Sequence, residues 1–326
     1  MDKETARQFW VRVPGSGEIV AAPLPSRQEG EVLVRTLFTG VSRGTESLVF
    51  GGRVPESQRE AMRAPFQEGD FPAPVKYGYA NVGEVLEGPE GLRGRAVFCL
   101  FPHQDRYVVP AAAVTPLPEG VPAERAVLAA NMETAVNAVW DATPGPGDRI
   151  VVFGGGVVGT LVAWLCNALP GARVTLIDPD ESRSATAEAL GLTFRSSPPG
   201  SADADLVVHA SGNPQGLVEA LAAAGPEATV LELSWFGDRP VTLPLGEAFH
   251  HRRLTLRSSQ VGRIPAHRQP RWTHGRRMEL ALSLLEEPAL DALITGESPF
   301  DQLPQLMQRL TGGDVTGVLC HRIRYD

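Results

Sequence analysis

Apolar positions follow two periods along the chain. From residue 1 to about 125, short runs rich in valine and aromatic residues ("EVLVRTLFTGVS", "ANVGEVLEG", "RAVFCLF", "RYVVP") are separated by glycine and proline. Such runs predict strands. Because no long helical pattern intervenes, they predict a compact barrel. One polar stretch, "PESQREAMRAPFQEGDFPAP" from Pro55 to Pro74, is broken by prolines and reads as a long surface loop. Loops of that length in a compact domain often carry function.

Near Pro122 the period changes. "PAERAVLAANMETAVNAVWDA" has helical spacing, and after the turn "TPGPGD" strand and helix patterns alternate. "RIVVFG", "RVTLID", "TFR", "DLVVHAS", "TVLELSWF" and "LTLRSSQV" give six strand-like runs, with helices such as "VGTLVAWLCNAL" and "PQGLVEALAAAG" between them. That alternation predicts an α/β unit, a parallel sheet covered by helices on both faces. The tail from about Arg263 offers one amphipathic helix, "RRMELALSLLEE", and a strand-like "GVLCHRIRY".

Composition narrows the class. The chain has 326 residues, 43% hydrophobic and 21% charged, which suits a globular protein with two substantial cores. No apolar run reaches the roughly 18 residues of a membrane span. The opening "MDKETARQFWVRVPG" lacks the apolar core of a secretory signal, so a cytoplasmic location is expected. A net charge of −8 argues against nucleic acid as a partner. The three cysteines, Cys99, Cys166 and Cys320, are far apart and show no metal-ligand spacing.

The strongest chemical motif is "VVFGGGVVG". Gly154, Gly156 and Gly159 satisfy G-x-G-x-x-G between a hydrophobic strand and a helix. The first glycine allows the tight turn, the second admits a pyrophosphate to the backbone, and the third lets the helix pack against the strand. Val157 and Val158 open the helix whose N-terminus would face the phosphates. The next strand ends in Asp178, placed to accept from the adenosine ribose hydroxyls and to repel a 2′-phosphate. NAD is therefore favoured over NADP, although Arg183 lies close enough to hold such a phosphate. The alternative for Asp178 is a helix N-cap in "DPDESR". Ser211 and Gly212, after "DLVVHA", join the cofactor-binding set.

A strand-rich first domain, a six-stranded Rossmann unit and a return segment, in that order, resemble the medium-chain dehydrogenase/reductase family over nearly the whole chain. The resemblance implies a GroES-like β-barrel catalytic domain (1–125), a Rossmann domain (126–262) and a segment packing back on the barrel (263–326). Zinc-containing members carry a cysteine where this chain has Ser42 in "TGVSRGTE", and a Gly-His-Glu where it has Gly78-Tyr79-Ala80. The third ligand falls near Ala130, and no Cys or His set replaces these residues. A zinc-free enzyme is expected. "FTGVSRGTESLVFGGRVP" resembles the branch containing bacteriochlorophyllide 3-hydroxyethyl dehydrogenase.

Without metal, directed donors and a general base must serve the substrate oxygen. By family position Tyr79 points into the vacated site, as donor or as aromatic plug. Ser42 and Thr45 are further donors or turn caps, and Glu46 is a supporting carboxylate. His103, on a loop in "LFPHQDRY", is either a proton relay or a satisfied structural histidine. The resemblance places Arg43 at the pyrophosphate and Thr134 near the nicotinamide. Glu133 is a catalytic candidate that could equally be a first-turn carboxylate. The basic stretch from His250 to Arg277 reads either as a solvated linker or as a surface for an anionic substrate anchored by Arg271, Trp272 and His274.

The function these readings imply is a zinc-independent oxidoreductase that prefers NAD and interconverts an alcohol and a carbonyl. The substrate is a small molecule, and a homodimer through the sixth Rossmann strand is expected from the family. Two rivals stand beside it: an NADPH-dependent reductase of enone or quinone C=C bonds, and a non-catalytic dinucleotide-binding sensor or scaffold.

Overall fold

The computed structural model describes residues 5–198, 200–313 and 317–326. It divides into two compact units, 1–130 with 282–326, and 131–281. In chain order the strands are β1 (Thr5–Val13), β2 (Ser16–Pro23), β3 (Glu31–Val41), β4 (Glu68–Gly69), β5 (Val75–Lys76), β6 (Asn81–Glu87), β7 (Ala96–Cys99), β8 (Arg106–Pro110) and β9 (Val114–Pro116). The parallel-sheet strands are β10 (Arg149–Phe153), β11 (Arg173–Ile177), β12 (Thr193–Arg195), β13 (Ala204–His209), β14 (Ala224–Glu232) and β15 (Thr255–Ser258). The return segment adds β16 (Ile294–Pro299) and β17 (Cys320–Arg324).

The first unit holds two sheets. A four-stranded one runs β2-β1-β5-β4 and a seven-stranded one β16-β17-β3-β6-β7-β9, with β8 paired to β3. Val32, Val34, Val85, Val97, Cys99, Phe101, Tyr107 and Val109 form a core on the seven-stranded sheet, with Phe101 and Tyr107 stacked 3.9 Å apart. Gly83 is required where β6 pairs with β3, because a Cβ there would lie 2.5 Å from the Arg35 carbonyl oxygen. The Pro55–Pro74 stretch is mostly irregular, with a short 3-10 turn at Glu56–Gln58 and the two-residue β4. The return strand β17 runs antiparallel to β3 with Ile323 opposite Thr39, which carries Tyr325 alongside Leu37 in the middle of β3.

In the second unit the six predicted strands form one parallel sheet in the order β12-β11-β10-β13-β14-β15. This is the doubly wound arrangement with its switch point between β10 and β13. Ile150, Val152, Val207, Val208, Val230 and Leu231 are fully buried, or nearly so, because helices cover both faces.

The boundary between units differs from the expectation at 262/263. Residues 263–281 stay with the Rossmann unit, because Arg277 is fully buried there. Its guanidinium donates to Glu133 (3.0 Å), to the Asn137 side chain and to the Val261 carbonyl (2.6 Å). Among the described residues no helix is long and apolar enough to cross a membrane. All three cysteines are buried and free.

Candidate active site

The glycine turn of the second unit is built by close packing on one side and open space on the other. Gly154 has φ +108, and a Cβ there would meet the Ser211 backbone nitrogen at 2.7 Å. A Cβ on Gly159 would lie 2.0 Å from the Gly154 carbonyl oxygen, so the helix Val157–Asn167 can approach the strand only with glycine there. Gly156 differs: a Cβ would meet nothing within 4 Å. That space lies at the N-cap of the helix, which has no capping side chain and no acidic residue in its first turn. Its N–H groups and positive end are thus presented to an anion. Val157 and Val158 are half-buried at this opening.

Asp178 stands at the end of β11. One carboxylate oxygen accepts from the Gly155 N–H (2.7 Å) and the other from the Asp180 N–H (2.9 Å). The cap of the following 3-10 turn is Asp180, whose carboxylate accepts from the Ser182 N–H, so Asp178 is not the helix cap. Arg183 is buried, lies over Gly155 and sits 3.5 Å from the Asp180 carboxylate. These residues fit a dinucleotide: an open glycine cradle, an uncapped helix start and a carboxylate on the neighbouring strand. Thr134 is half-buried in the helix Ala129–Ala142. Glu133 is paired with Arg277 at 3.0 Å, and burial pushes its carboxyl up against the pull of that arginine and His274. Ser211 is exposed at the end of β13, followed by half-buried Gly212.

In the first unit the fold gathers Ser42, Thr45, Glu46, Tyr79 and His103. Helix Arg43–Phe50 begins directly after β3 and sets Glu46 in its first turn. One Glu46 oxygen accepts from the Ser42 N–H (2.7 Å), and the other lies 2.8 Å from His103 Nε2. His103 Nδ1 is 2.7 Å from the Thr39 hydroxyl, which is 3.2 Å from the Tyr325 hydroxyl. Glu46, His103 and Thr39 are all buried. One proton arrangement serves every group: Tyr325 donates to Thr39, Thr39 to Nδ1, and the Nε2–H to the accept-only carboxylate. Gly78 makes room for this chain, since a Cβ there would lie 2.9 Å from His103 Cδ2.

Tyr79 is half-buried beside the chain, hydrogen-bonded to the Ser42 and Thr45 side chains. Burial, helped by the Glu46 charge, pushes its phenol up to about 12, so it is a donor at neutral pH. Arg43 reaches the Val318 carbonyl at 3.4 Å within the first unit. In the basic stretch, Trp272 packs on Trp140 at 4.7 Å and carries the Arg276 guanidinium on its face at 4.0 Å, while Arg271 and His274 are exposed.

No protein-family model matches the chain. A curated relative, the uncharacterized zinc-type alcohol dehydrogenase-like protein YdjJ of Escherichia coli K12, is 23% identical over 210 residues. That match covers 56% of this chain and only 60% of the relative's length. Among solved structures, the short chain alcohol dehydrogenase RspB from E. coli CFT073, complexed with NADH, superposes with a TM-score of 0.76. It is 18% identical, with 98% of this chain and 99% of that one covered. S. aureus TarJ in complex with NADPH gives a TM-score of 0.72 at 14% identity, with 99% of each chain covered. The fold is that of the medium-chain dehydrogenases, a GroES-like unit joined to a Rossmann unit.

Against a zinc-type relative the donor set matters. Among the described residues no three His, Cys, Asp or Glu side chains gather as a metal set. Sequence reasoning named the cluster's members Ser42, Thr45, Glu46, Tyr79 and His103 but missed Thr39 and Tyr325. It also missed His209 and Glu232 behind Ser211. These two are the last residues of adjacent strands and pair in register, and two polar residues ending neighbouring apolar runs were a readable signal.

Proposed function

We propose that this protein is a zinc-independent, NAD-preferring oxidoreductase that interconverts an alcohol and a carbonyl by hydride transfer. The observation that carries the reading is the Gly154–Gly159 cradle with Asp178 at the end of the next strand, an arrangement that fits a dinucleotide. Zinc independence is supported by the donors at Ser42, Thr45 and Tyr79. They are hydroxyls, one of them a phenol held protonated, and the adjacent Glu46 and His103 are already bonded to each other. Zinc takes thiolate, imidazole or carboxylate ligands, and this set does not fit it.

A bound nicotinamide supplies or accepts the hydride. Tyr79 donates a hydrogen bond to the carbonyl oxygen, where negative charge develops on reduction. The Ser42 and Thr45 hydroxyls hold the phenol in place, and the Glu46–His103–Thr39–Tyr325 chain fixes the turn that carries Ser42. In oxidation the same phenol hydrogen-bonds the substrate oxygen while the alcohol proton leaves to solvent. The branch suggested by "FTGVSRGTESLVFGGRVP", a cytoplasmic location and a homodimer through the exposed edge strand β15 belong to the same reading.

The test is a side-by-side titration with NADH and NADPH by cofactor fluorescence. Tighter NADH binding supports the reading. Equal or tighter NADPH binding overturns the NAD preference and favours an enone reductase. Binding of neither removes the dehydrogenase reading.

A further inference from the structure

His209, at the end of β13, has no exposed surface. Its Nδ1 lies 2.7 Å from a Glu232 carboxylate oxygen, and its Nε2 lies 2.6 Å from the Ser211 hydroxyl. The other Glu232 oxygen accepts from the Ser234 N–H at 2.6 Å. The Ser234 hydroxyl accepts from the Gly212 N–H (3.0 Å) and stands 3.4 Å from His209 Nδ1. The Phe236 ring stacks on the imidazole, with centroids 6.1 Å apart. Space for the pair is reserved inside the helix Pro214–Ala223. A Cβ on Gly216 would lie 2.7 Å from Ser211 Oγ and 3.0 Å from His209 Nε2. Gly216 stands in the first turn of that helix, where a larger residue would collide with both atoms.

The proton positions follow from the ends of the chain. A carboxylate can only accept, so a neutral His209 carries its proton on Nδ1 and accepts at Nε2. Ser211 therefore donates to His209. Its oxygen takes the Asn213 N–H at 3.1 Å on one lone pair and keeps a second, in a residue exposed to solvent. The relay makes Ser211 an acceptor toward solvent.

Sheet order says what would meet it. Asp178 ends β11, the glycine cradle follows β10, and Ser211 follows β13, three neighbouring strands. A dinucleotide with its adenosine ribose at Asp178 and its pyrophosphate at the cradle carries its nicotinamide half toward Ser211. Resting on the dinucleotide reading above, we infer that Glu232 and His209 are positioning residues that fix Ser211 as a hydrogen-bond acceptor for a neutral donor, a hydroxyl or carboxamide, on the nicotinamide half of the cofactor.

Glu232→Gln tests the polarity with almost no change of shape. The amide oxygen stays with the Ser234 N–H, so the amide nitrogen faces His209 and donates to Nδ1. The imidazole proton then moves to Nε2, and Ser211 turns its own proton outward, donor against donor. Both Glu232→Gln and Ser211→Ala are expected to weaken NADH about 3- to 10-fold. ADP, which lacks the nicotinamide half, should bind within about twofold of wild type on the same scale. Nitrogen-15 NMR should show His209 protonated on Nδ1 in wild type and on Nε2 in Glu232→Gln, its signal assigned by loss in His209→Phe.

Unchanged NADH affinity in either variant overturns the inference, as does an equal loss for ADP or an unmoved tautomer. Wild-type protein that binds ADP but not NADH would sink it too. Wild type that binds no nucleotide removes the dinucleotide reading itself.

Discussion

Asp178→Asn separates a residue that reads the cofactor from one that holds the turn. Its two carboxylate oxygens accept from the Gly155 and Asp180 N–H groups at 2.7 and 2.9 Å. Asparagine can keep one of these bonds through its oxygen, while its NH2 faces the other N–H. That mismatch removes one neutral-to-charged hydrogen bond inside the fold, about 1.5–3 kcal/mol at most, less where water reaches the half-buried side chain. Toward the ribose, a charge-assisted acceptor becomes a neutral one, a difference of about 1–1.5 kcal/mol that weakens NADH about 5- to 12-fold. Toward a 2′-phosphate the sign reverses. Removing a negative charge about 4 Å away relieves about 1–4 kcal/mol, according to how far water screens the pair. NADPH should therefore hold or gain affinity while NADH loses it, and the preference ratio should move by about two orders of magnitude. Fluorescence titration of both cofactors, with a thermal melt of each protein, reads all three quantities. If both affinities fall by one factor, Asp178 only shapes the glycine turn. If neither changes, it does not meet the ribose.

Two further variants address the first unit. Tyr79→Phe should lower kcat for carbonyl reduction about 10²- to 10³-fold, the range for losing one donor to a developing oxyanion. A change below about threefold, with an intact melt, makes the ring a packing residue. Because burial raises the phenol to about 12, its protonated form persists through ordinary alkaline pH. The kcat profile for reduction should show no alkaline loss from Tyr79 until pH approaches that value, and an alkaline limb abolished by Tyr79→Phe at lower pH would contradict the assignment. Glu46→Leu should destabilise the unit by about 2–5 kcal/mol in urea unfolding, since the Ser42 N–H and His103 Nε2 lose a buried acceptor. Glu46→Gln, which keeps an acceptor oxygen, should lose less; equal losses would mean the carboxylate does not organise the chain.

What could be read from the sequence was what repeats locally. The six-stranded sheet was legible because short strand-like runs alternate with helical patterns, and the cofactor turn because three glycines sit at fixed spacing between a strand and a helix. The polar chain was not. Glu46 and His103 lie 57 residues apart, and Thr39 and Tyr325 lie 286 apart. Only the pairing of β17 with β3 joins the second pair, and no local period encodes it.

Arg277 shows the same limit from the other side. It stands in a run of basic residues that reads as a solvated linker, yet it is 1% exposed. Its Glu133 and Asn137 partners come from a helix about 140 residues earlier. A charge whose partner is distant in sequence looks like a surface charge until the fold supplies the partner. The relay behind Ser211 carries this further, because there the distant partner decides the chemistry. Ser211 as a bare residue could donate or accept. Glu232, one strand away and in register with His209, removes that freedom, so the polarity presented to a ligand is set by a side chain that never touches it.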